Sequence, residues 1–318
     1  MSGENAEIKR LYISVVSPVY GCVGCLEGLV ERVGDAIRQM GCDYEIILVD
    51  DASPDGAWSR IVQLSESYPQ VRGIRLSRNF GQHAAISAGL RSVRGDVVVV
   101  MDCDLQDVPE EIPNLVGELD DEVQIVLAQR VERQDGWGKR LGSMVFYAIL
   151  RWLTDSDYDH TVANFGAYRR RVINVINDMP ETDRFFPLLV RWTGFRRHYL
   201  PVRHARRTEG RSSYSFGKLI RLAMNVALSY SDKPLRLVVK AAAMFALFAM
   251  AMTLYSVYRY ESGDIRVAGF TSIVASIWLV GSVVVFCTGI VGLYLGRLYN
   301  QVKGRPAYIV AEETGENK

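Results

Sequence analysis

Short apolar runs alternate with amphipathic stretches through the first 130 residues of the chain. Between the runs, apolar residues recur at helical spacing, as in Leu26, Leu29, Val30 and Val33. The runs have the length and composition of buried strands and cover residues 12–16, 44–50, 71–76, 97–101 and 124–128. Alternation of strand and helix favours an α/β fold with a mostly parallel sheet and helices on both faces.

The pattern loosens beyond Gln129. Residues 137–153 predict an amphipathic helix, and Asn164–Tyr168 predicts a further strand. Residues 214–230 mix apolar and basic side chains, which fits a helix on a membrane surface and equally a helix packed on the domain. Its position just before a strongly apolar region favours the membrane interface.

Two uncharged apolar runs follow, at Ala241–Tyr258 and Phe270–Gly296. Each is long enough to cross a hydrocarbon core of about 30 Å, so we expect a two-helix transmembrane hairpin; a buried hairpin in a soluble protein is the alternative. The predicted organisation is a catalytic domain at 1–212, juxtamembrane helices at 213–237, transmembrane helices at 238–300 and a tail at 301–318.

Charge suggests how the chain is placed in the membrane. Lys233, Arg236 and Lys240 precede the first run, and Arg297, Lys303 and Arg305 follow the second. The connecting loop balances its two basic residues with two acids, so the positive-inside rule predicts cytoplasmic termini and a cytoplasmic catalytic domain at the inner membrane. The first ten residues show no signal peptide. The whole chain has 37 basic and 36 acidic residues, which argues against nucleic-acid binding.

The five cysteines do not have the spacing of a secreted disulfide framework. Cys22 and Cys25 form a single CxxC pair without a second pair to complete a zinc site. We therefore expect reduced thiols in a cytosolic compartment, with a redox or zinc role as the less favoured interpretation.

The run Val97–Val100 leads directly into oxygen-bearing side chains at Asp102, Asp104 and Gln106. In an extended chain, alternate residues point to one side, so these three side chains should converge at the carboxyl end of a buried strand. Ligands bind at that edge of open α/β sheets, and hard oxygen atoms suit Mg²⁺ or Mn²⁺ holding substrate phosphates. The alternative is an acidic loop that caps the next helix.

Further candidates occur at other strand ends. Asp50 or Asp51 would accept hydrogen bonds from a base or ribose. Arg130, Arg140 and Arg207 would bind an anionic acceptor, because guanidinium groups pair bidentately with phosphate. Neither GxGxxG nor a P-loop is present, so a nicotinamide or flavin fold is unsupported and the sheet must bind its nucleotide in another way.

Eight segments together resemble family 2 glycosyltransferases of the polyprenyl-phosphate type, in order and over nearly the whole chain. They are Ser17–Tyr20, Val49–Ser53, Asn79–His83, Met101–Asp107, Arg207–Tyr214, Ser231–Leu235, Gly296–Tyr299 and Arg305–Tyr308. The resemblance implies a GT-A fold, a nucleotide-sugar donor, a polyprenyl-phosphate acceptor such as undecaprenyl or dolichyl phosphate, and inversion at the anomeric carbon. It implies a product used in cell-envelope glycan modification.

The resemblance also implies roles for the candidate residues. Pro18, Tyr20, Asp50 and Asp51 would hold the nucleotide, and Asp102 would lie near the ribose and diphosphate. Asp104 and Gln106 would bind Mg²⁺ or Mn²⁺, and the lipid phosphate would meet the arginines at 130, 140 and 207. The residues expected to act in catalysis are Asp102, Asp104 and Arg207.

The chain departs from the family pattern at Gly21-Cys22, where relatives usually have Asn-Glu, at Asn164, where they often have Asp, and at Ser213, where they have Lys.

Rival interpretations are a processive polysaccharide synthase, given a partial QxxRW match at Leu188–Trp192, or a transferase acting on a growing glycan. A glycoside hydrolase using Asp102 and Asp104 is weaker, since its carboxylates usually come from different elements. The non-enzyme alternative is a membrane-anchored lipid-carrier scaffold. The sequence leaves homo-oligomer formation open.

Overall fold

The computed structural model describes residues 10–130, 162–181, 184–202 and 269–315, with scattered residues between 238 and 262. The predicted helices at 137–153 and 214–230 lie outside these ranges. The strands are β1 (Tyr12–Val19), β2 (Asp43–Asp50), β3 (Val71–Leu76), β4 (Val97–Val100), β5 (Ile125–Arg130), β6 (Val162–Arg169), β7 (Arg197–Val202) and β8 (Val310–Thr314). The helices are α1 (Leu26–Gln39), α2 (Ala57–Ser67), α3 (Gln82–Ser92), α4 (Ile112–Gly117), α5 (Arg170–Asp178), α6 (Phe186–Trp192) and α7 (Phe270–Val302), with 3-10 turns at Val23–Cys25 and Pro109–Glu111.

The eight strands form one mixed sheet in the order β7-β5-β6-β4-β1-β2-β3-β8. Strands β1 to β4 are mutually parallel where they pair, whereas β6 is antiparallel to both β4 and β5. Strand β7 is parallel to β5, and β8 is antiparallel to β3. Six strands therefore run in one direction and only β6 and β8 run in the other, which confirms a mostly parallel sheet.

Alternate residues of the central strands face two different cores. In β4, Val97 and Val99 belong to one hydrophobic cluster, and Val98 and Val100 belong to the other. The first cluster includes buried residues of α1, α2 and α4, and the second includes buried residues of α3, α5 and α6. A strand buried on both faces reads as a continuous apolar run, which is why β4 is four valines in a row.

The C-terminal segment, expected to be a tail, adds strand β8 to the edge of the sheet. Gly73 of β3 lies opposite Thr314 in this pairing. A Cβ atom at Gly73 would overlap Ile61 of α2 and would lie 2.7 Å from Thr314 Cγ2. Glycine at this position therefore permits β3 to be covered by α2 and bordered by β8 at once.

The chain divides into two compact units. One consists of residues 1–137, 159–213 and 306–318, and the other of residues 138–158 and 214–305. In the second unit, α7 contains one candidate membrane span, Leu279–Gly296, with a mean hydropathy of 2.1 and no buried residues. The first apolar run is described only in part, and all of its described residues are helical. The two-helix hairpin therefore remains a prediction.

Candidate functional site

The residues predicted to bind the nucleotide-sugar donor lie at the carboxyl ends of three adjacent strands. Strand β1 lies between β4 and β2, and Tyr20, Asp50 and Asp102 stand at or just beyond the ends of these three strands. Adjacent strands lie about 4.8 Å apart, so the ends of β2 and β4 are separated by about 10 Å across β1. The sheet thus places these residues on the edge where open α/β sheets bind ligands. Pro18 is buried within β1, and the Tyr20 side chain is exposed at the edge.

Asp50 is the last residue of β2 and is fully buried. Its Oδ1 atom accepts a hydrogen bond from the Ser53 N–H at 2.9 Å, and its Oδ2 atom lies 3.7 Å from Arg75 Nε. Burial raises the pKa of Asp50, and the Ser53 N–H and Arg75 only partly oppose that effect. Oδ2 accepts no hydrogen bond from the residues that the structure describes. A buried acceptor left without a donor is costly, which marks this atom as a candidate partner for a ligand N–H or O–H.

Asp51 uses both carboxylate oxygens to hold the loop that begins α3. Oδ1 accepts a hydrogen bond from the Phe80 N–H at 2.7 Å, and Oδ2 accepts one from the Gly81 N–H at 2.8 Å. Gly81 has a φ of 98°, a conformation that glycine adopts without steric cost. Burial raises the pKa of Asp51, and the two backbone hydrogen bonds partly offset this effect. Asp51 therefore holds the backbone of Phe80 and Gly81 in position beside the site.

The loop after β1 is held to the loop after β2. The Gly21 N–H donates to Ser53 Oγ at 2.8 Å, and the Val23 N–H donates to Asp55 Oδ2 at 3.0 Å. Ser53 Oγ donates in turn to Asp55 Oδ1 at 2.5 Å. These contacts give the loop that carries Tyr20 a defined position beside Asp50.

Residues 102–106 form a turn, so the expectation of an extended file of three aligned side chains is wrong. The Gln106 N–H donates to Asp104 Oδ1 at 3.2 Å, and Leu105 has a φ of 58°. The Asp102 N–H donates to Asp107 Oδ2 at 3.2 Å. Local hydrogen bonds of this kind compete with extended backbone, and here they fold the chain back directly after β4. Asp104 and Gln106 flank Leu105 in the sequence, and the hydrogen bond between them keeps them close together in the turn.

Gln82, at the start of α3, is a site residue to which sequence analysis assigned no role. Its Nε2 atom donates to Asp102 Oδ1 at 2.6 Å. Asp107 and Arg75 were missed in the same way. Their places in the sequence could have indicated a role in the site. Gln82 follows the glycine that precedes a helix, and Asp107 follows the acidic turn.

Backbone strain also concentrates at this edge of the sheet. Among the described residues, Ala52 and Leu105 are the non-glycine residues with positive φ. One follows Asp51 directly and the other follows Asp104 directly. Such conformations cost of order 1–3 kcal/mol each and tend to cluster where ligands bind.

Cys22 and Cys103 form a disulfide, so the prediction that the thiols are reduced is wrong for these two residues. Their Cα atoms are 6.5 Å apart, which is within disulfide range. Cys25, Cys42 and Cys287 are free thiols. The pairing escaped sequence analysis because a spacing of 81 residues carries no information about which loops meet in the sheet.

The acceptor arginines are not brought together by the described part of the chain. Arg130 is the last residue of β5, and its side chain lies outside the described residues. Arg140 and Arg207 lie outside them entirely. Their role as a phosphate site remains a prediction.

The turn after β4 fits a divalent ion in its chemistry. Asp104 and Gln106 are half-buried and supply a carboxylate and an amide oxygen, the hard ligands that Mg²⁺ and Mn²⁺ prefer. The described residues contain no group of three or more His, Cys, Asp or Glu side chains that would enclose an ion. A metal at this turn would therefore need oxygen atoms from substrate or water, as Mg²⁺ sites that bind phosphates commonly have.

The chain is similar to known glycosyltransferases over nearly its full length. The chain is 34% identical over 316 residues to the undecaprenyl-phosphate 4-deoxy-4-formamido-L-arabinose transferase of Photorhabdus laumondii, an alignment that covers 98% of this chain and 96% of that protein. It is 31% identical over 304 residues to a glycosyltransferase of Synechocystis, covering 95% of this chain and 96% of the relative.

Among solved structures, the fold resembles glucosyl-3-phosphoglycerate synthase from Mycobacterium tuberculosis in complex with Mn²⁺, UDP-glucose and phosphoglyceric acid. The sequence identity is 18%, the TM-score is 0.53, and the match covers 69% of this chain and 79% of that one. This likeness supports a GT-A-like mixed α/β fold. The profile of glycosyl transferase family 2 matches residues 14–176, from β1 to α5. With the site at the carboxyl edge and two relatives that match end to end, this chain belongs to glycosyltransferase family 2 and is a transferase.

Proposed function

We propose that this protein transfers a sugar from a nucleotide-sugar donor to a membrane polyprenyl phosphate, with inversion at the anomeric carbon. The observation that carries the proposal is the end-to-end similarity to a transferase named for undecaprenyl phosphate. That similarity continues far beyond residue 176, where the family 2 match ends, and includes the apolar helix α7. Binding of a lipid acceptor would explain why the similarity extends through the C-terminal half of the chain.

The donor nucleotide is assigned to the ends of β1 and β2. Oδ2 of Asp50 is a buried acceptor that a base N–H would satisfy. The exposed ring of Tyr20 offers an aromatic face beside it. Pro18 shapes the end of β1, and Asp51 holds the Phe80–Gly81 backbone in place. Asp102, oriented by Gln82, is assigned to the ribose and diphosphate.

Asp104 and Gln106 are assigned to the divalent ion, Mg²⁺ or Mn²⁺. When bound, the ion would neutralise negative charge on the diphosphate leaving group. The support is the set of oxygen ligands in the turn, together with the presence of both Mn²⁺ and UDP-glucose in the mycobacterial synthase complex. The Asp104 side chain supplies a full negative charge, whereas Gln106 supplies a neutral oxygen.

The acceptor phosphate is assigned to Arg130, Arg140 and Arg207. A phosphate monoester has a second pKa near 6, so it is largely a dianion at neutral pH and needs no general base. One of its oxygens would bond to the anomeric carbon as the bond to the nucleoside diphosphate breaks. A single displacement of this kind inverts the anomeric centre, and catalysis then consists mainly of alignment and charge stabilisation.

The test is to incubate membranes containing the protein with a panel of labelled nucleotide sugars and to identify the lipid product by mass spectrometry. We expect one donor to yield a polyprenyl-phosphate sugar. Arg207→Ala should raise the acceptor constant about ten- to a hundredfold, the size of a lost charge-assisted contact, with little change in nucleotide affinity. Transfer to a glycan with no polyprenyl-phosphate product would contradict the proposal.

A further inference from the structure

A disulfide links the two loops that border the candidate donor site. Cys22 lies two residues after Tyr20, and Cys103 lies between Asp102 and Asp104. Both cysteines are buried, with 6% and 7% of their surfaces exposed. The bond therefore connects the loop proposed to bind the nucleotide with the turn proposed to bind the metal. It lies in the hydrophobic core that also contains Leu26 of α1.

Hydrogen bonds hold each of the two loops to neighbouring segments. Gly21 and Val23 donate to Ser53 and Asp55, in the loop after β2. The turn after β4 is held by Gln82 through Asp102 and by Asp107. The pairing of β1 with β4 ends where the Met101 N–H donates to Val16 O at 3.1 Å. The disulfide adds a covalent link between these two loops and so restricts their separation.

The turn after β4 has a specific need for such an anchor. Leu105 occupies the left-handed region, which a branched side chain rarely adopts, so its surroundings must hold it there. Cys103 is two residues before Leu105, and the disulfide restricts the backbone of the turn at that point. Loss of the bond would allow Asp104 and Gln106 to leave the arrangement that suits a metal-bound diphosphate.

We propose that Cys22 and Cys103 form a reversible disulfide that positions the Asp102–Asp104 turn for the donor diphosphate, so that reducing it weakens donor binding. The inference rests on the proposed function for the identity of the ligand and for the cytoplasmic placement of the site. Disulfides in cytoplasmic proteins are rare and are mostly transient, catalytic or redox-sensing. A disulfide inside the acidic motif is well placed to couple thiol redox state to sugar transfer.

The chemical step is thiol–disulfide exchange with a cellular dithiol. A thiolate of the dithiol attacks one sulfur of the disulfide, the bond between Cys22 and Cys103 breaks, and a mixed disulfide forms. The second thiol of the reductant then displaces the protein cysteine. Two electrons pass from the dithiol to the protein, which gains two thiols, and the reductant leaves as its own disulfide. The reverse reaction restores the bond.

The experiment compares oxidised and reduced full-length protein by calorimetry with UDP and with GDP in the presence of Mg²⁺. Alkylation of the unfolded chain should count three free thiols before treatment with dithiothreitol and five after it. We expect the dissociation constant of the nucleotide that binds to rise about tenfold on reduction, which corresponds to about 1.4 kcal/mol at 25 °C. Oxidised glutathione should restore it.

Variants separate this effect from general damage by the reductant. Cys22→Ser and Cys103→Ser should bind the nucleotide weakly in either redox state, whereas Cys42→Ser, which removes a free thiol elsewhere, should respond as the wild type does. If a variant fails to fold, the wild-type redox pair alone decides the question. Five free thiols in the untreated protein, or equal affinity in both states, would overturn the inference and leave the proposed function intact. Binding of neither nucleotide in either state would overturn the inference, and the panel of labelled nucleotide sugars would then decide the proposed function.

Discussion

Asp104 is the residue whose charge matters most to the proposed chemistry. It is the only charged member of the proposed metal pair, and Gln106 follows it in the same turn. We predict that Asp104→Asn abolishes sugar transfer, because several kcal/mol of ion binding and leaving-group stabilisation depend on that charge. Chelation should have the same effect, and added Mg²⁺ or Mn²⁺ should reverse it.

Asp178→Asn is the matched control, since this exposed aspartate ends α5 away from the turn. Its transfer rate should equal that of the wild type. Full activity of Asp104→Asn, or of the wild type in excess chelator, would rule out the metal assignment.

His83 is the group through which we expect pH to affect the stability of the folded chain. Its ring packs against Phe185 with centroids 4.4 Å apart, and its Nδ1 atom has no hydrogen-bond partner among the described residues. Burial lowers the pKa of His83 to about 4, so the folded state favours the neutral imidazole. The stabilisation is complete above the unfolded pKa of about 6.5 and is lost as pH falls toward 4.

We predict that acidification from pH 7.5 to pH 5 lowers the free energy of unfolding of the wild type more than that of His83→Gln. One pKa unit is worth about 1.4 kcal/mol, so the two curves should diverge by about 2 kcal/mol over this range. Denaturant titrations at a series of pH values would measure the divergence. Parallel curves would show that the imidazole is not the group responsible.

Some positions of the candidate site are predictable from the sequence and others are not. The positions of Asp50, Asp102 and Asp104 followed from their place at strand ends, because strand ends are visible as apolar runs. The turn geometry at Leu105 and the bond from Cys22 to Cys103 did not follow, because both depend on contacts between loops that are distant in sequence.

At the scale of elements, β8 is the feature with the clearest consequence. Its Glu312 accepts hydrogen bonds from Trp58 Nε1 at 3.0 Å and from Arg75 Nη1 at 2.7 Å. Arg75 also lies near Asp50, so the strand restrains a cation beside the candidate nucleotide site. The last described residues of the chain thus help to hold this edge of the sheet in place.

We predict that deleting residues 309–318 speeds hydrogen exchange at the β3 amides, because β3 then loses the strand that borders it. The amide of Ser77, which donates to Ile309 O at 2.9 Å, should be affected as well. Exchange in β1, at the centre of the sheet, should change little. Mass spectrometry of exchanged peptides would test this prediction, and unchanged protection of β3 would contradict it.

Point variants give a milder version of the same test. Glu312→Gln should lower stability by about 1 kcal/mol or less, the usual size of an exposed ion pair. Glu313→Gln is its matched control, because Glu313 neighbours Glu312 on the same strand and its carboxylate accepts no hydrogen bond from the residues that the structure describes. Equal effects of the two substitutions would mean that the contacts of Glu312 contribute nothing specific.

Elements differed in how far the sequence predicted them. Strands β1 to β4 were predicted to within a few residues because they are buried on both faces and rich in Val and Ile. Strands β7 and β8 were missed, since β7 carries charged and exposed residues and β8 is Val-Ala-Glu-Glu-Thr. Such strands are specified by the neighbour they pair with, and their own apolar pattern is weak.

Across the whole molecule, a nearly neutral total charge conceals an uneven distribution of acidic and basic residues. Acidic residues gather at the carboxyl edge of the sheet, whereas residues 191–221 contain many basic side chains and one acid, Glu209. The proposed donor, held through a metal, and the proposed lipid phosphate, held by arginines, would require these opposite charges. The apolar helix α7, none of whose candidate span is buried, supplies the surface that a bilayer would cover.

The cations that border the apolar runs predict how the chain is oriented in the membrane. Lys233, Arg236 and Lys240 precede the first run and three further cations follow the second, so we expect both termini and the catalytic domain in the cytoplasm. The loop of residues 259–269 would then face outward. In intact cells, a membrane-impermeant maleimide should label Gly263→Cys and should spare Ser2→Cys until the membrane is opened, with the parental chain as the control for native cysteines. Labelling of Ser2→Cys in intact cells, with none at Gly263→Cys, would reverse the orientation and place the donor site on the side that lacks cytoplasmic nucleotide sugars.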